Sequence, residues 1–195
     1  MSNRDRSART RRELLDAAWA LIAERGAGVS MAEIAAAVGV TRQAAYVHFG
    51  SRGGLLMALV RRADERGRIF ERFDEAMAVA EPAERLDTCL AVWLDFVVDI
   101  HPVALDLIRL RSGDADAAAA WEDRMADLLR LLGRLVESLA AQGALAPGWT
   151  TGAATDLVWA TCSVQMWSLL VHDRGWGHDA ASVALRQSAA VSLLG

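Results

Sequence analysis

A short polar stretch near the N-terminus has the side-chain types needed to bind nucleotide groups. Arg42 can pair with guanine O6 and N7, and Gln43 can pair with adenine N6 and N7. The small side chain of Ala44 beside them permits close approach to base edges. Other nearby residues carry hydroxyl or imidazole groups that suit phosphate oxygens, which position a protein without reading base sequence. These candidates for phosphate contact are Thr41, Tyr46 and His48.

Two short helices joined by a tight turn are predicted to hold these side chains. Ser30 and Glu33 have the spacing of a capping box, so a helix should begin directly after Ser30. Gly39 suits the left-handed conformation in which a helix ends. Thr41 can then cap a second helix over residues 42–49, whose first turn carries the candidate base contacts. Helix, glycine turn and helix in this order predict a helix-turn-helix.

The segment resembles the TetR-type transcriptional repressors. Arg52 stands where the family more often has Lys, and Gly53-Gly54 make a weaker start to the next helix than usual. The resemblance implies DNA binding and assigns phosphate contacts to the same hydroxyl and imidazole groups. It is carried by Ser30, Ile34-Ala35-Ala36, Val38-Gly39-Val40, Thr41, Ala45-Tyr46, His48-Phe49, Ser51 and Leu55. The predicted DNA-binding residues are Ser30, Thr41, Arg42, Gln43, Ala44, Tyr46, His48, Ser51 and Arg52.

Four of the residues in this region also have purely structural interpretations. The rings of Tyr46 and Phe49 can pack the small domain without touching DNA. Ser51 can cap the next helix, and Arg52 can lie on its solvated side, instead of contacting phosphate at the helix N-terminus.

The charge of the chain is divided between its ends. Residues 1–72 hold 13 Arg against 8 acidic residues, a net charge of +5, and residues 73–195 hold 8 against 17, a net charge of −9. A basic N-terminal part in an otherwise acidic protein is typical of a region that binds a polyphosphate. Residues 1–10 include three arginines and are predicted to be disordered alone, either lying along DNA or remaining a solvated tail.

The bulk properties predict a cytoplasmic, all-α protein. Its 195 residues can form one large or two modest domains with a real core. No secretory signal is visible, and Cys89 and Cys162 do not make a disulfide framework. The uncharged run over residues 157–171 is short for a membrane span, so no transmembrane segment is predicted. No cofactor or metal site is expected.

Helical periodicity and breakers predict about nine helices and no sheet. Gly26 should end the first helix, and the fourth should run from Ser51 to about Ala78. The predicted ranges are 11–25, 31–38, 42–49, 51–78, 82–100, 102–110, 115–141, 150–173 and 179–194. The family likeness divides the chain into a DNA-binding domain (1–50), a connecting helix (51–78) and a helical ligand-binding and dimerisation domain (79–195).

The last two helices are the predicted dimer surface. The helix over 150–173 is apolar nearly all round, so it should be buried on more than one side. The last helix offers small residues that would let two helices approach closely, including Ala181, Ser188, Ala189 and Ser192. The resemblance implies a four-helix bundle between two subunits, which would match a palindromic operator.

Aromatic residues of the C-terminal half suggest a pocket for an apolar or aromatic molecule. The alternative is that they simply fill a large core. Arg109 can equally pair with Asp106 on a surface. The predicted ligand-binding residues are Trp93, Phe96, His101, Arg109, Trp121, Met125, Cys162, Gln165, Met166 and Trp167.

Catalysis is not expected from this sequence. It has no Gly-rich phosphate loop and no ordered Ser, His and Asp residues, and neither cysteine has a nearby His. A ligand-responsive DNA-binding repressor is therefore the predicted function. The alternative is a helical small-molecule or partner-binding protein that has kept the fold but lost specific DNA recognition.

Overall fold

The computed structural model describes residues 2–25 and 28–194, and this part of the chain is all-α, as predicted. Its β structure is limited to one isolated antiparallel bridge between Leu145 and Leu194. The helices are α1 (Asn3–Arg25), α2 (Met31–Ala37), α3 (Arg42–Phe49), α4 (Arg52–Gly67), α5 (Ile69–Met77), α6 (Pro82–Leu110), α7 (Ala115–Ala141), α8 (Thr151–Thr161), α9 (Val164–Ser168), a π-helical turn (Leu169–Asp173) and α10 (His178–Leu193).

The chain forms two compact units. The N-terminal unit comprises Met1–Ala63 and Pro102–Asp123, and the C-terminal unit comprises Asp64–His101 and Arg124–Gly195. The functional division at residues 50 and 78 stays a prediction. In the N-terminal unit α2 and α3 pack together and both contact α1. Its core side chains include Leu14, Ile22, Ile34, Ala45, Leu55, Leu59 and Leu107.

The C-terminal unit has a core of its own, in which α10 packs against α8. Two of the small residues predicted to meet a second subunit, Ala181 and Ala189, are buried inside this unit. They therefore permit close packing within the chain. Other fully buried side chains of this core include Phe73, Leu86, Leu90, Leu94, Leu132, Leu135 and Val158.

The predicted disorder of residues 1–10 is wrong from Asn3 onward, because α1 already begins there. The backbone N–H of Ser2 donates to the Asp5 carboxylate at 2.9 Å, and the Asp5 N–H donates to the Ser2 hydroxyl at 3.1 Å. Arg9 and Glu13 add an ion pair one turn apart. Such local caps and pairs stabilise an exposed helix start. Gly26, the predicted end of this helix, lies outside the described residues.

The predicted helix over 51–78 is two helices, because Arg68 adopts a left-handed conformation with φ of 47°. Gly67, a weak helix former, comes directly before it. A Cβ atom at Gly67 would lie 3.2 Å from the ring of Phe96. The missing side chain thus makes room for that ring at the point where α4 ends.

Two other boundary predictions also fail. Residues 82–110 form one helix through Pro102, which was expected to begin a new one. Pro102 removes a hydrogen bond to the Val98 carbonyl, but Val98 is 42% exposed, so water can replace the lost donor. The predicted helix over 150–173 is interrupted at Ser163, whose side chain accepts from the Met166 N–H and begins α9.

Among the described residues, one helix is long and apolar enough to span a membrane by length and composition. This is α6, with a mean hydropathy of 1.6 over its most apolar 18 residues. However, 56% of that window is buried inside the protein. The α6 helix is therefore a core helix of a folded chain.

Candidate nucleic-acid interface

The start of α2 is fixed by the predicted capping box. The Glu33 N–H donates to the Ser30 hydroxyl at 3.2 Å, and the Ser30 N–H donates to the Glu33 carboxylate at 2.8 Å. The Ser30 N–H and, secondly, the Ser30 hydroxyl, which also donates to the Glu33 carboxylate at 2.8 Å, hold the pKa of Glu33 below its ordinary value. Arg25 also pairs with Glu33 at 3.2 Å and ties the end of α1 to α2. The Ser30 hydroxyl is thus used in capping, and its predicted DNA contact stays a prediction.

The turn between α2 and α3 follows the predicted chemistry. Gly39 has φ of 72°, a left-handed conformation that favours glycine. The Val40 N–H then donates to the Ala35 carbonyl at 3.0 Å, which closes the end of α2. Thr41 is extended and its hydroxyl accepts from the Ala44 N–H at 3.2 Å. Both helices of the motif are therefore held by local hydrogen bonds.

The α3 helix presents a polar, non-acidic face to solvent. Ala45 is completely buried, while Arg42 and Gln43 are exposed. The Arg42 guanidinium donates to the Tyr46 hydroxyl at 3.3 Å and lies 5.3 Å from the centre of its ring. Tyr46 is half-buried, as are Ala44 and His48. The candidate base contacts, and Tyr46 and His48 among the candidate phosphate contacts, thus occupy one short helix that is anchored by Ala45.

Phe49 fits the structural interpretation better than a contact with DNA. Its ring is half-buried, and the Arg11 guanidinium lies 5.2 Å from its centre. The His48 ring lies 6.3 Å away at a tilted angle. Phe49 therefore links α3 to α1.

Ser51 and Arg52, predicted as phosphate contacts, are bonded within the N-terminal unit. The Ser51 hydroxyl accepts from the Gly54 N–H at 3.0 Å. The Arg52 guanidinium donates to the Val29 carbonyl and to the Asp106 carboxylate. The side chains of this ion pair are only 13% and 5% exposed. A phosphate contact from Arg52 would have to replace these bonds, and the assignment stays a prediction.

Asp106 belongs to this site, but sequence analysis did not predict it as a site residue. Its only signal was a carboxylate inside an apolar stretch of α6, and it was considered only as a surface partner of Arg109. It belongs instead to a cleft of about 450 Å³ beside the helix-turn-helix. This cleft is lined by Gly28, Val29, Ser30, Met31, Ala32, Arg42, Tyr46, Arg52, Asp106 and Leu110.

The structure brings some of the predicted ligand-binding residues together in the C-terminal unit. Trp93, Phe96, Cys162 and Trp167 are all buried there. The Trp93 indole N–H donates to the Cys162 carbonyl at 2.7 Å, and the Trp93 and Phe96 rings are 6.2 Å apart. Burial raises the pKa of the Cys162 thiol to about 12, so the thiol is protonated at neutral pH.

The other predicted ligand residues are placed differently. Gln165 and Met166 are exposed on α9, and Met125 is half-buried on α7. Arg109 and Trp121 belong to the N-terminal unit, where Arg109 is exposed and Trp121 is buried under the guanidinium of Arg111. Their roles in ligand binding stay predictions.

Three of the four histidines of the chain surround Trp167. His101 stacks on His172 with ring centres 4.4 Å apart, and its Nε2 lies 3.0 Å from the Ser168 hydroxyl. The Trp167 indole donates to His178 Nδ1 at 3.1 Å. His178 Nε2 must then carry the proton that faces Asp95 at 3.1 Å. No group of three or more His, Cys, Asp or Glu in the described part of the chain is arranged to hold a metal ion.

The buried His101 should make the protein less stable in mild acid. Burial, and secondarily the His172 imidazole, lowers the pKa of His101 from 6.5 to about 4. Between these values the unfolded chain binds a proton that the folded chain does not, so the free energy of unfolding falls as pH falls. Urea unfolding measures this free energy at pH 7 and at pH 4.5. Between the two pH values, the wild type should lose about 2 to 3 kcal/mol more of it than His101→Gln loses. Equal losses in the two proteins would contradict a neutral, buried His101.

Comparison with known proteins agrees with the geometry of α1 to α4. The sequence model of the bacterial regulatory proteins of the tetR family matches residues 14–59. This segment belongs to the TetR family. The matched residues contain the whole TetR helix-turn-helix, from the Ser30 cap to Phe49, and extend into α4. The N-terminal unit therefore carries a TetR-type DNA-binding region.

Solved structures share the fold over nearly the full chain. A putative transcriptional regulator from Saccharomonospora viridis in complex with choline is 21% identical, with a TM-score of 0.77 over 96% of this chain and 99% of that one. NalD, the secondary repressor of the MexAB-OprM multidrug efflux pump in Pseudomonas aeruginosa, is 22% identical, with a TM-score of 0.72 over 97% and 98%. FadR from Bacillus subtilis in complex with stearoyl-CoA is 19% identical, with a TM-score of 0.72 over 92% and 97%. No curated protein sequence matches the chain.

Proposed function

We propose that the protein is a cytoplasmic transcriptional repressor that binds a palindromic operator as a dimer and is released by a small molecule. The observation that carries this proposal is α3. This helix is capped by Thr41 and anchored by the buried Ala45, and it turns Arg42 and Gln43 toward solvent. Arg and Gln in the first turn of such a helix are suited to guanine and adenine edges in the major groove. A regulatory role without catalysis follows from this proposal.

The proposed dimer is supported by exposed apolar side chains near the C-terminus. The largest of them is Trp176, and the most exposed is Val191, at 84%. Five of the nine large apolar side chains that are exposed in the described part of the chain lie in this segment, and this concentration favours an interaction site there. These five side chains lie within the last 30 residues: Met166, Leu169, Trp176, Val183 and Val191.

The proposed effector is an apolar or aromatic molecule that contacts the C-terminal unit. Similar folds were solved with choline and with stearoyl-CoA, so this architecture accommodates apolar and cationic ligands. The indole rings of Trp93 and Trp167, which are buried in the C-terminal unit, are the proposed contacts for such a molecule. Such a molecule would release DNA only if it bound the DNA-free conformation more tightly than the DNA-bound one.

Operator binding is the direct test. Purified protein is titrated against DNA from directly upstream of its own reading frame and against random DNA, over a series of salt concentrations. Specific binding is expected to be tight and salt-sensitive, with a palindromic footprint and two chains per footprint. Candidate ligands are then screened for release of the same DNA.

Replacing Arg42 with alanine should weaken specific binding by about 1 to 3 kcal/mol and reduce the preference for operator over random DNA. The matched control is Arg130→Ala, which removes an arginine of α7 whose side chain is 72% exposed. If Arg42→Ala left both the affinity and the preference unchanged, α3 would not be the recognition helix. A protein that binds both DNAs weakly and equally would favour the alternative, a ligand- or partner-binding protein without specific DNA recognition.

A further inference from the structure

One apolar side chain stands out on the polar face of α3. Val47 is 80% exposed, although its neighbours on this face are hydrogen-bonding residues. It lies two positions beyond the buried Ala45, so helical geometry directs it away from the core. It also lies four positions after Gln43, so the two side chains are neighbours one turn apart. The outer face of α3 thus has two columns, Arg42 with Tyr46 and Gln43 with Val47.

The chemistry of Val47 restricts what it can contact in a DNA groove. A branched alkyl group cannot bond to phosphate oxygens or to the donors and acceptors of base edges. The major groove offers one apolar group, the C5 methyl of thymine. An exposed valine also gains nothing for the isolated helix, because β-branched residues are weaker helix formers than alanine. The valine side chain is expected to contribute favourable free energy only when contact with another apolar group removes it from water.

We propose that Val47 is a specificity-determining residue that contacts a thymine methyl group in the operator. This inference rests on the proposed function and names a base that the same helix selects. One helical turn is about 5.4 Å, and successive base pairs are about 3.4 Å apart. Val47 therefore contacts a thymine one or two base pairs from the base that Gln43 contacts. Val47 and Gln43 together select a step rich in A·T pairs.

The test removes the methyl group without changing base pairing. Each thymine of one operator half-site is replaced in turn by deoxyuridine, and the affinity of the wild-type protein is measured at constant salt. At one position the affinity should fall about three- to ten-fold. The Val47→Ala protein should bind the unmodified operator about as weakly as the wild type binds that deoxyuridine operator. Its affinity should not fall further when the same thymine is replaced by deoxyuridine.

Two controls separate this result from a general loss of binding. Val98→Ala removes a partly exposed valine of the C-terminal unit and should show the same deoxyuridine penalty as the wild type. Circular dichroism melting should show that Val47→Ala folds normally, since its side chain is exposed. The inference is overturned if no deoxyuridine position weakens binding, or if the penalty is equal in the wild type and Val47→Ala. Those results leave a specific operator complex intact, whereas failure of the proposed function would remove specific binding to any operator DNA.

Discussion

Gly53→Ala should destabilise the protein by about 3 kcal/mol or more. A Cβ atom at Gly53 would lie 2.6 Å from the carbonyl carbon of Asp116 and 2.8 Å from the Cα atom of Ala117. Real Cβ atoms essentially never come this close, and both neighbours are backbone atoms that cannot rotate away. The first turn of α4 and the start of α7 would therefore have to separate within the N-terminal unit. Urea unfolding of the wild type and the variant measures the loss.

Gly133→Ala is the matched control for this substitution. Gly133 lies inside α7, and a Cβ atom there would have no neighbour within 4 Å. The same change should therefore stabilise the protein by about 0.5 to 1 kcal/mol, because alanine loses less backbone freedom on folding. The two variants should shift the urea midpoint in opposite directions. A Gly53→Ala protein as stable as the wild type would show that α4 and α7 do not pack this closely.

Gly53 also shows a limit of prediction from the sequence. In the sequence, Gly53-Gly54 appeared only as a weak helix start, because helix propensity is a local property of each residue and carries no information about distant contacts. The physical reason for glycine is a close approach to residues more than sixty positions away. The same limit explains Arg52, whose charge suggested a phosphate contact while its partner Asp106 lies on α6. Long-range packing of this kind leaves little trace in local sequence patterns.

The parts that were predicted correctly depend on local chemistry. The Ser30 capping box, the Gly39 turn and the Thr41 cap each form within a few residues, so their spacing was sufficient to place α2 and α3. The helix boundaries that failed were decided by tertiary contacts or by solvent. Pro102 remains inside α6, where Val98 is open to water, and α4 ends where Gly67 meets the ring of Phe96. The solvent exposure of a side chain could not be predicted from the sequence either, and it is this exposure that distinguishes Val47.

Asp106→Ala should cost about 3 to 5 kcal/mol of stability, the usual cost of removing one partner of a buried ion pair. The Arg52 guanidinium would stay buried with the Val29 carbonyl as an acceptor, but its charge would lose the carboxylate that is bonded to it. The matched control is Asp74→Ala. Asp74 pairs with Arg134 across a similar distance in sequence, but both side chains are more than half exposed. That change should cost no more than about 1 kcal/mol.

A second variant distinguishes the buried charge from lost packing. If the unpaired guanidinium causes the loss, Arg52→Met in the Asp106→Ala background should restore part of the stability, because methionine fills similar space without a charge. Added salt screens an exposed ion pair more than a buried one. Raising the salt concentration should therefore reduce the stability difference between Asp74→Ala and the wild type, and should change that between Asp106→Ala and the wild type much less. An Asp106→Ala protein that loses no more stability than Asp74→Ala would mean that the pair is open to water. Arg52 would then be free to exchange Asp106 for a phosphate, as the sequence first suggested.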